Sequence, residues 1–130
     1  MRLFIFLVLA ILLLGCLGKA KEPLPPLDVP KEYLVMDNPI PHTDASVAQG
    51  KRLYAIYCTV CHGEKGEGKG EFEKSLGKRP GDLTRAAHER TDGELHYVTM
   101  KGFKKEMLPY ENLLKPEEVW NLVNYMHTFS

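Results

Sequence analysis

Cys58-Thr59-Val60-Cys61-His62 is the stretch on which the fold of this chain turns. At C-x-x-C-H spacing, two thiols can bond to the vinyl groups of a haem while the next residue, a histidine, reaches the iron. Two intervening residues amount to about one helical turn, so both sulfurs can face one side of a flat macrocycle. C-x-x-C also serves zinc sites and dithiol redox centres. A structural zinc site takes four ligands, and two more cysteines or suitably paired histidines are missing here. A thioredoxin-like centre sits between strand, turn and helix, whereas this motif follows a helical pattern and enters a glycine-rich loop. Covalent haem on Cys58 and Cys61, with His62 on the iron, is the expectation.

Upstream, Gly50, Leu53, Tyr54 and Tyr57 recur at helical spacing and predict one buried stripe on a helix capped by Thr43 or Asp44. That helix delivers Cys58 and His62. A glycine within a helix costs about 1 kcal/mol against alanine, so Gly50 calls for a close neighbour such as a second helix. Before it, from Cys16 to about Thr43, lie Pro23, Pro25, Pro26, Pro30, Pro39 and Pro41. Such density predicts an extended tether that could hold a domain several tens of Å away, at about 3.1 Å per residue. Tyr33-Leu34-Val35-Met36 is an apolar island in it, expected to dock on its own domain rather than on a partner.

The first fifteen residues resemble an export signal: Met1-Arg2, then an unbroken apolar run from Leu3 to Leu14. Twelve residues fall short of the roughly 20 that cross a bilayer as a helix but suit a signal core. Leu13-Leu14-Gly15-Cys16 looks like a lipobox, which makes Cys16 the expected lipidation site; an uncleaved anchor helix is the alternative. Acylation would also dispose of a lone thiol sent into an oxidising compartment.

Downstream, Gly63-Glu64-Lys65-Gly66-Glu67-Gly68-Lys69-Gly70 reads as a polar, solvated loop. It lacks the Gly-Lys-Ser/Thr ending of a phosphate-binding loop and follows no strand. Thr91-Asp92-Gly93-Glu94 is a capping box that opens a short helix to about Lys101, with Leu95, Val98 and Thr99 inward. The last helix begins at Pro116, with Glu117 and Glu118 suited to its positive end. Val119, Leu122, Val123 and Met126 form its apolar stripe, flanked by Trp120 and Tyr125. No strand is expected, and the domain over 44–130 is all-α. Seventeen Lys+Arg balance seventeen Asp+Glu, so nothing suggests nucleic-acid binding.

The pattern C-x-x-C-H-G-x-x-G-x-G from Cys58 to Gly68, together with Cys16, resembles a class I, mono-haem cytochrome c of the bacterial lipoprotein type. The resemblance implies the cytochrome c fold, three to four helices packed around one covalently bound haem c. It implies that Gly50 and Tyr54 lie where the first and last helices cross. It places the second iron ligand in Lys105-Glu106-Met107-Leu108-Pro109-Tyr110, which makes Met107 the expected axial partner of His62. Met100 and Met126 read as core. His42 and His127 read as surface residues, with His88 and His96 left open as ligands. The second nitrogen of His62 would donate to a loop carbonyl, for which Pro80 is the candidate.

His/Met ligation closes both faces of the iron and raises its potential relative to bis-histidine ligation. The expected function is therefore that of an electron carrier, not an enzyme. It would be exported and lipid-anchored at the outer face of the bacterial cytoplasmic membrane or in the periplasm. It would pass single electrons between a quinol-oxidising complex and a terminal oxidase or reductase, with no small-molecule substrate. Alternatives are a haem subunit of a quinol-oxidising complex, or a haem-based sensor or peroxidase-like protein if Met107 is not a firm ligand. Lys101, Lys104, Lys105, Lys78 and Arg79 could form a basic rim that steers an acidic partner. Roughly ninety residues make a thin core, so the domain is expected to fold poorly without haem.

Overall fold

The computed structural model describes residues 22–130; the apolar run at 3–14 and Cys16 lie outside the described residues. Six helices follow in order: α1 (Lys31–Leu34), α2 (Asp44–Tyr57), α3 (Thr59–His62), α4 (Leu83–Glu89), α5 (Asp92–Lys101) and α6 (Pro116–Met126). The described residues contain no strand; the one extended pairing is an isolated antiparallel bridge between Phe103 and Met107. The fold is all-α. None of the described helices is long and apolar enough to cross a membrane.

Helices α2 and α6 form the frame. Thr43 caps α2 by accepting from the Ser46 amide, and the Ser46 hydroxyl returns the favour to the Thr43 amide, so two orphan donors are met at once. At the crossing, Gly50 presses on the backbone of α6. A Cβ there would sit 2.0 Å from the Asn121 carbonyl oxygen and 2.8 Å from Tyr125 Cβ. Val119 and Leu122 are fully buried on α6, against Leu53 and Tyr54 of α2 and Phe129 beyond α6. Tyr54, Tyr125 and Phe129 form a set of edge-to-face rings with centroids 5.1–5.3 Å apart, a geometry worth about 0.5–1.5 kcal/mol per pair beyond burial.

Helix α5 opens on the Thr91–Glu94 capping box and stops at Gly102, whose φ of 78° is reached cheaply only by glycine. Its Leu95 meets Trp120 and Val123 in a second, smaller apolar cluster. His96 is buried there, stacked on Trp120 at 3.9 Å, and its Nε2 pairs with the Pro116 carbonyl at 3.2 Å. Helix α4 was not anticipated. Asp82 starts it by accepting from the Thr84 and Arg85 amides at 3.0 and 3.4 Å.

The proline-rich segment is not free over its described length. Met36 of the apolar island and, beyond it, Ile40 pack on the Leu95–Trp120–Val123 cluster, while Leu34 and Val35 of the island are exposed. Asn38 donates from its amide nitrogen to the Trp120 carbonyl and to Asn124 Oδ1, both at 3.0 Å. Asn124 in turn donates to the carbonyls of Ile40 and Pro41. His127, expected on the surface, is half-buried with Nε2 2.7 Å from Asp92 Oδ1.

Candidate haem-attachment site

Helix α2 ends at Cys58, whose backbone (φ −114°, ψ −35°) bends the chain into the single turn of α3. The turn brings Cys58, Cys61 and His62 together at the end of α2. Both thiols are free, Cys58 buried at 7% exposure and Cys61 half-buried. Burial, with the neighbouring Cys61 second, pushes the Cys58 thiol up to about 12. Among the described residues no cluster of three or more His, Cys, Asp or Glu side chains is arranged to hold a metal, so the C-x-x-C gains no further zinc-type ligands.

His62 is the last residue of α3. Its Nδ1 lies 3.0 Å from the Gly81 carbonyl, which corrects the expectation of Pro80 by one residue. The Pro80 carbonyl is turned the other way, onto the glycine loop: a Cβ on Gly68 would sit 2.3 Å from that oxygen. With Nδ1 donating to a carbonyl, the acceptor nitrogen is Nε2, the tautomer an iron needs. Burial lowers the His62 pKa, opposed by the bond to Gly81, and favours the neutral ring.

The glycine loop is structured rather than merely solvated. A helix ends with carbonyls that lack partners. Here the loop folds back and supplies donors, Phe72 N to Val60 O at 3.0 Å, Gly70 N to Cys61 O at 3.1 Å and Gly68 N to His62 O at 2.9 Å. Gly70 passes so close that a Cβ would meet the Val60 and Cys61 carbonyl oxygens at 2.4 and 2.5 Å. Tyr54 fixes the start of the loop by donating its hydroxyl to the Gly63 carbonyl at 2.8 Å. Leu83 N then bonds Gly66 O at 2.7 Å, which sets α4 against the same loop.

Met107 is half-buried and lies outside both apolar clusters, whereas Met100 packs on the main one and Met126 is buried within it. Phe103 and Met107 exchange both amide-to-carbonyl bonds, at 3.0 and 3.1 Å, around a tight loop in which Lys104 has a φ of 51°. Tyr110 closes the segment. Its hydroxyl donates to the Tyr57 carbonyl at 2.9 Å, one residue before Cys58. Burial raises the Tyr110 pKa, with Cys58 and Cys61 as the next causes, and the ring packs against the cluster that contains Cys58. Tyr110 and Gly81 are the site residues that motif reading missed. Tyr110 was legible only as an aromatic two residues past Leu108; nothing in the sequence pointed to its partner.

The other histidines are engaged elsewhere: His88 Nε2 faces the Phe129 carbonyl at 3.0 Å and His96 is stacked on Trp120. The basic rim is largely neutralised in pairs. Lys78 bonds Glu106, Lys101 bonds Glu111, and Arg79 meets Glu73 at 3.0 Å. Lys104 and Lys105 remain exposed, as do the apolar side chains Ile56, Leu108 and Leu113.

A family described as cytochrome c oxidase, cbb3-type, subunit III matches residues 45–126. The chain is 29% identical over 114 residues to quinohemoprotein alcohol dehydrogenase ADH IIB of Pseudomonas putida; the match takes in 84% of this chain but only 15% of that protein. Among solved structures, the c-type cytochrome KustC0563 superposes with a TM-score of 0.53 at 28% identity, over 62% of this chain and 95% of its own. Cytochrome cL of Methylophaga aminisulfidivorans shares the fold, with a TM-score of 0.52 at 21% identity over 87% of this chain and 71% of its own.

Proposed function

Since this chain belongs to the cytochrome c family described as cbb3-type oxidase subunit III, whose domain implies covalent haem c and electron transfer, we propose that it is a mono-haem carrier. In this reading Cys58 and Cys61 would hold the haem by thioether bonds, and His62 and Met107 would be its iron ligands. The observation that carries it is the pairing of His62 Nδ1 with the Gly81 carbonyl, which leaves Nε2 as a lone-pair donor one residue from a free thiol. Two free thiols beside a neutral imidazole whose Nε2 is left as the acceptor form the donor set that haem c requires.

Bound haem c supplies a one-electron Fe(III)/Fe(II) couple, and the chain's own residues set its surroundings. Gly81 holds the proximal imidazole in one tautomer and orientation. Tyr110 and the Phe103–Met107 bridge hold the loop that would present the thioether, a weaker donor than imidazole, which favours Fe(II). Were His62 and Met107 both to hold the iron, it would offer no free position to oxygen or peroxide. Exposed Ile56, Leu108 and Leu113 offer apolar contact to a redox partner, and pairing of Lys78, Arg79 and Lys101 with glutamates predicts weak salt dependence.

The carrier would be exported through residues 1–15 and held by lipid on Cys16. It would pass electrons outside the cytoplasmic membrane from a quinol-oxidising complex to a terminal oxidase or reductase. The family's name and the quinohaemoprotein relative favour a second reading, a haem subunit of a larger oxidoreductase. Absorption spectra of wild type, Met107→Ala and Met100→Ala in both oxidation states test the ligand. Loss of the near-infrared sulfur–iron band in Met107→Ala alone supports it, and CO should then bind the reduced variant but not wild type. A band that survives in Met107→Ala refutes it.

A further inference from the structure

We infer that the docked N-terminal strap turns the α4 side of the domain toward the bilayer and keeps it close, rather than paying out a long spacer. The inference rests on the proposed lipidation of Cys16. From Glu22 onward the chain lies against the domain. The Arg85 guanidinium donates to the Glu22 carbonyl and that of Arg90 to the Pro25 carbonyl, so residues 22–25 run alongside α4. Residues 26–29 then border a cleft with Tyr97, Val98, Lys101 and Phe103. Helix α1 seats on α5, where Tyr33 packs edge-on to Tyr97 at 4.9 Å and the Gly93 amide donates to the Met36 carbonyl at 3.1 Å. Asn38 ties the end of the strap to α6.

The length left over decides the geometry. A free tether from Cys16 to Thr43 would span about 80 Å as polyproline. With the strap docked, only six peptide links separate Cys16 from Glu22. Whatever their conformation, they reach at most about 20 Å. The leash therefore leaves the domain beside Arg85, on the helix that begins two residues after Gly81, the partner of His62. An anchor in the outer leaflet must hold that side within about 20 Å of the headgroups, and the opposite side faces outward to partners.

Gly93 offers a clean way to release the strap. A Cβ at Gly93 would stand 2.0 Å from the Tyr33 carbonyl oxygen and 3.0 Å from Met36 Cβ, so even alanine collides with strap backbone. The same change raises the helix propensity of α5, so the domain itself keeps its helices.

The test uses full-length, haem-loaded protein on vesicles that carry a fluorescent headgroup lipid, with haem as the quencher. Three proteins are compared: wild type, Gly93→Ala combined with Asn38→Ala, and a chain with about twelve flexible residues inserted between Lys21 and Glu22. Soret absorbance and helical circular dichroism verify the fold of each. Wild type should quench at least about twofold more than either variant, since both lengthen the free leash. Equal quenching by wild type and the insertion variant, with all proteins bound to vesicles, overturns the inference whatever the double variant does. Failure of wild type to float with vesicles overturns the lipidation of Cys16 instead, and with it the orientation, while leaving the haem assignment intact.

Discussion

Replacing Gly50 by alanine pits two effects of opposite sign against each other, and the structure says which wins. Intrinsic propensity favours the substitution by about 1 kcal/mol. Against it stands the backbone of α6: the new Cβ would lie 2.0 Å from the Asn121 carbonyl oxygen and 2.7 Å from its carbon, where real contacts stay beyond 3.0 Å. The atoms in the way are main chain, so no rotamer change relieves them. Helices α2 and α6 must part by at least an ångström, and a gap of that size forfeits a quarter to a half of each contact's dispersion well. The loss falls on Leu53, Tyr54, Val119 and Leu122, all at 7% exposure or less. Overpacking of this kind costs about 1–3 kcal/mol, added to the dispersion loss, so a net destabilisation of about 2 kcal/mol is expected. For a domain of this size that lowers Tm by about 8–16 °C. Thermal unfolding of the haem-loaded protein, followed by far-ultraviolet circular dichroism, measures it. Gly81→Ala is the control: a Cβ there meets nothing within 4 Å, so stability should hold or rise by about 0.4–1 kcal/mol. A Gly50→Ala midpoint at or above that of wild type would refute the close crossing.

Three further outcomes follow from particular residues. His96 has its Nδ1 buried without a partner, and burial lowers its pKa despite the bond to Pro116. Its neutral form is favoured in the fold, so its contribution is full above the ordinary value of 6.5 and is lost as pH falls through the lower folded value; Tm should drop on acidification, and less so in His96→Phe. Lys104→Ile puts a β-branched side chain at a φ of 51°, a strain of about 1–2 kcal/mol beside the Met107 bridge; the sulfur–iron band should melt at a lower temperature than in wild type, and an unchanged melting point would count against a ligand loop held by that turn. Cys58→Ala with Cys61→Ala removes covalent haem; circular dichroism should show a poorly helical chain, and native-like helicity would contradict a haem-centred core.

What could be read from the sequence was set by patterns with a local cause. The cap at Thr43, the capping box at Thr91, the stripe Val119–Leu122–Val123–Met126 and the glycine at the crossing each follow from propensity or spacing, and the fold confirms them. Helix α4 escaped because its seven residues carry one buried side chain, Ala87, and so no stripe; its signal was the single cap at Asp82. The charged side chains of the glycine loop at Glu64, Lys65 and Lys69 are exposed, as its composition suggests, but its donation of amides to the end of α3 was not legible, because backbone donors leave no mark on side-chain composition. Gly81 was missed for a related reason. Which of two adjacent carbonyls faces His62 depends on peptide orientation at Pro80-Gly81, and any residue offers a carbonyl.

The docking of the strap shows most clearly where local patterns stop being informative. Proline density does exclude regular helix and strand, yet it says nothing about whether the extended chain is free or fastened. Proline removes backbone donors but leaves every carbonyl, and an extended carbonyl-rich segment is a ready acceptor for arginines. Arg85 and Arg90 use it in that way, while Asn38 supplies the side-chain amide that the prolines cannot. Residues 22–41 are therefore better regarded as a non-regular layer of the domain than as a linker. A segment's stiffness can be predicted from its composition; its partner is set by what the folded surface leaves unsatisfied, here the Gly93 amide in the first turn of α5.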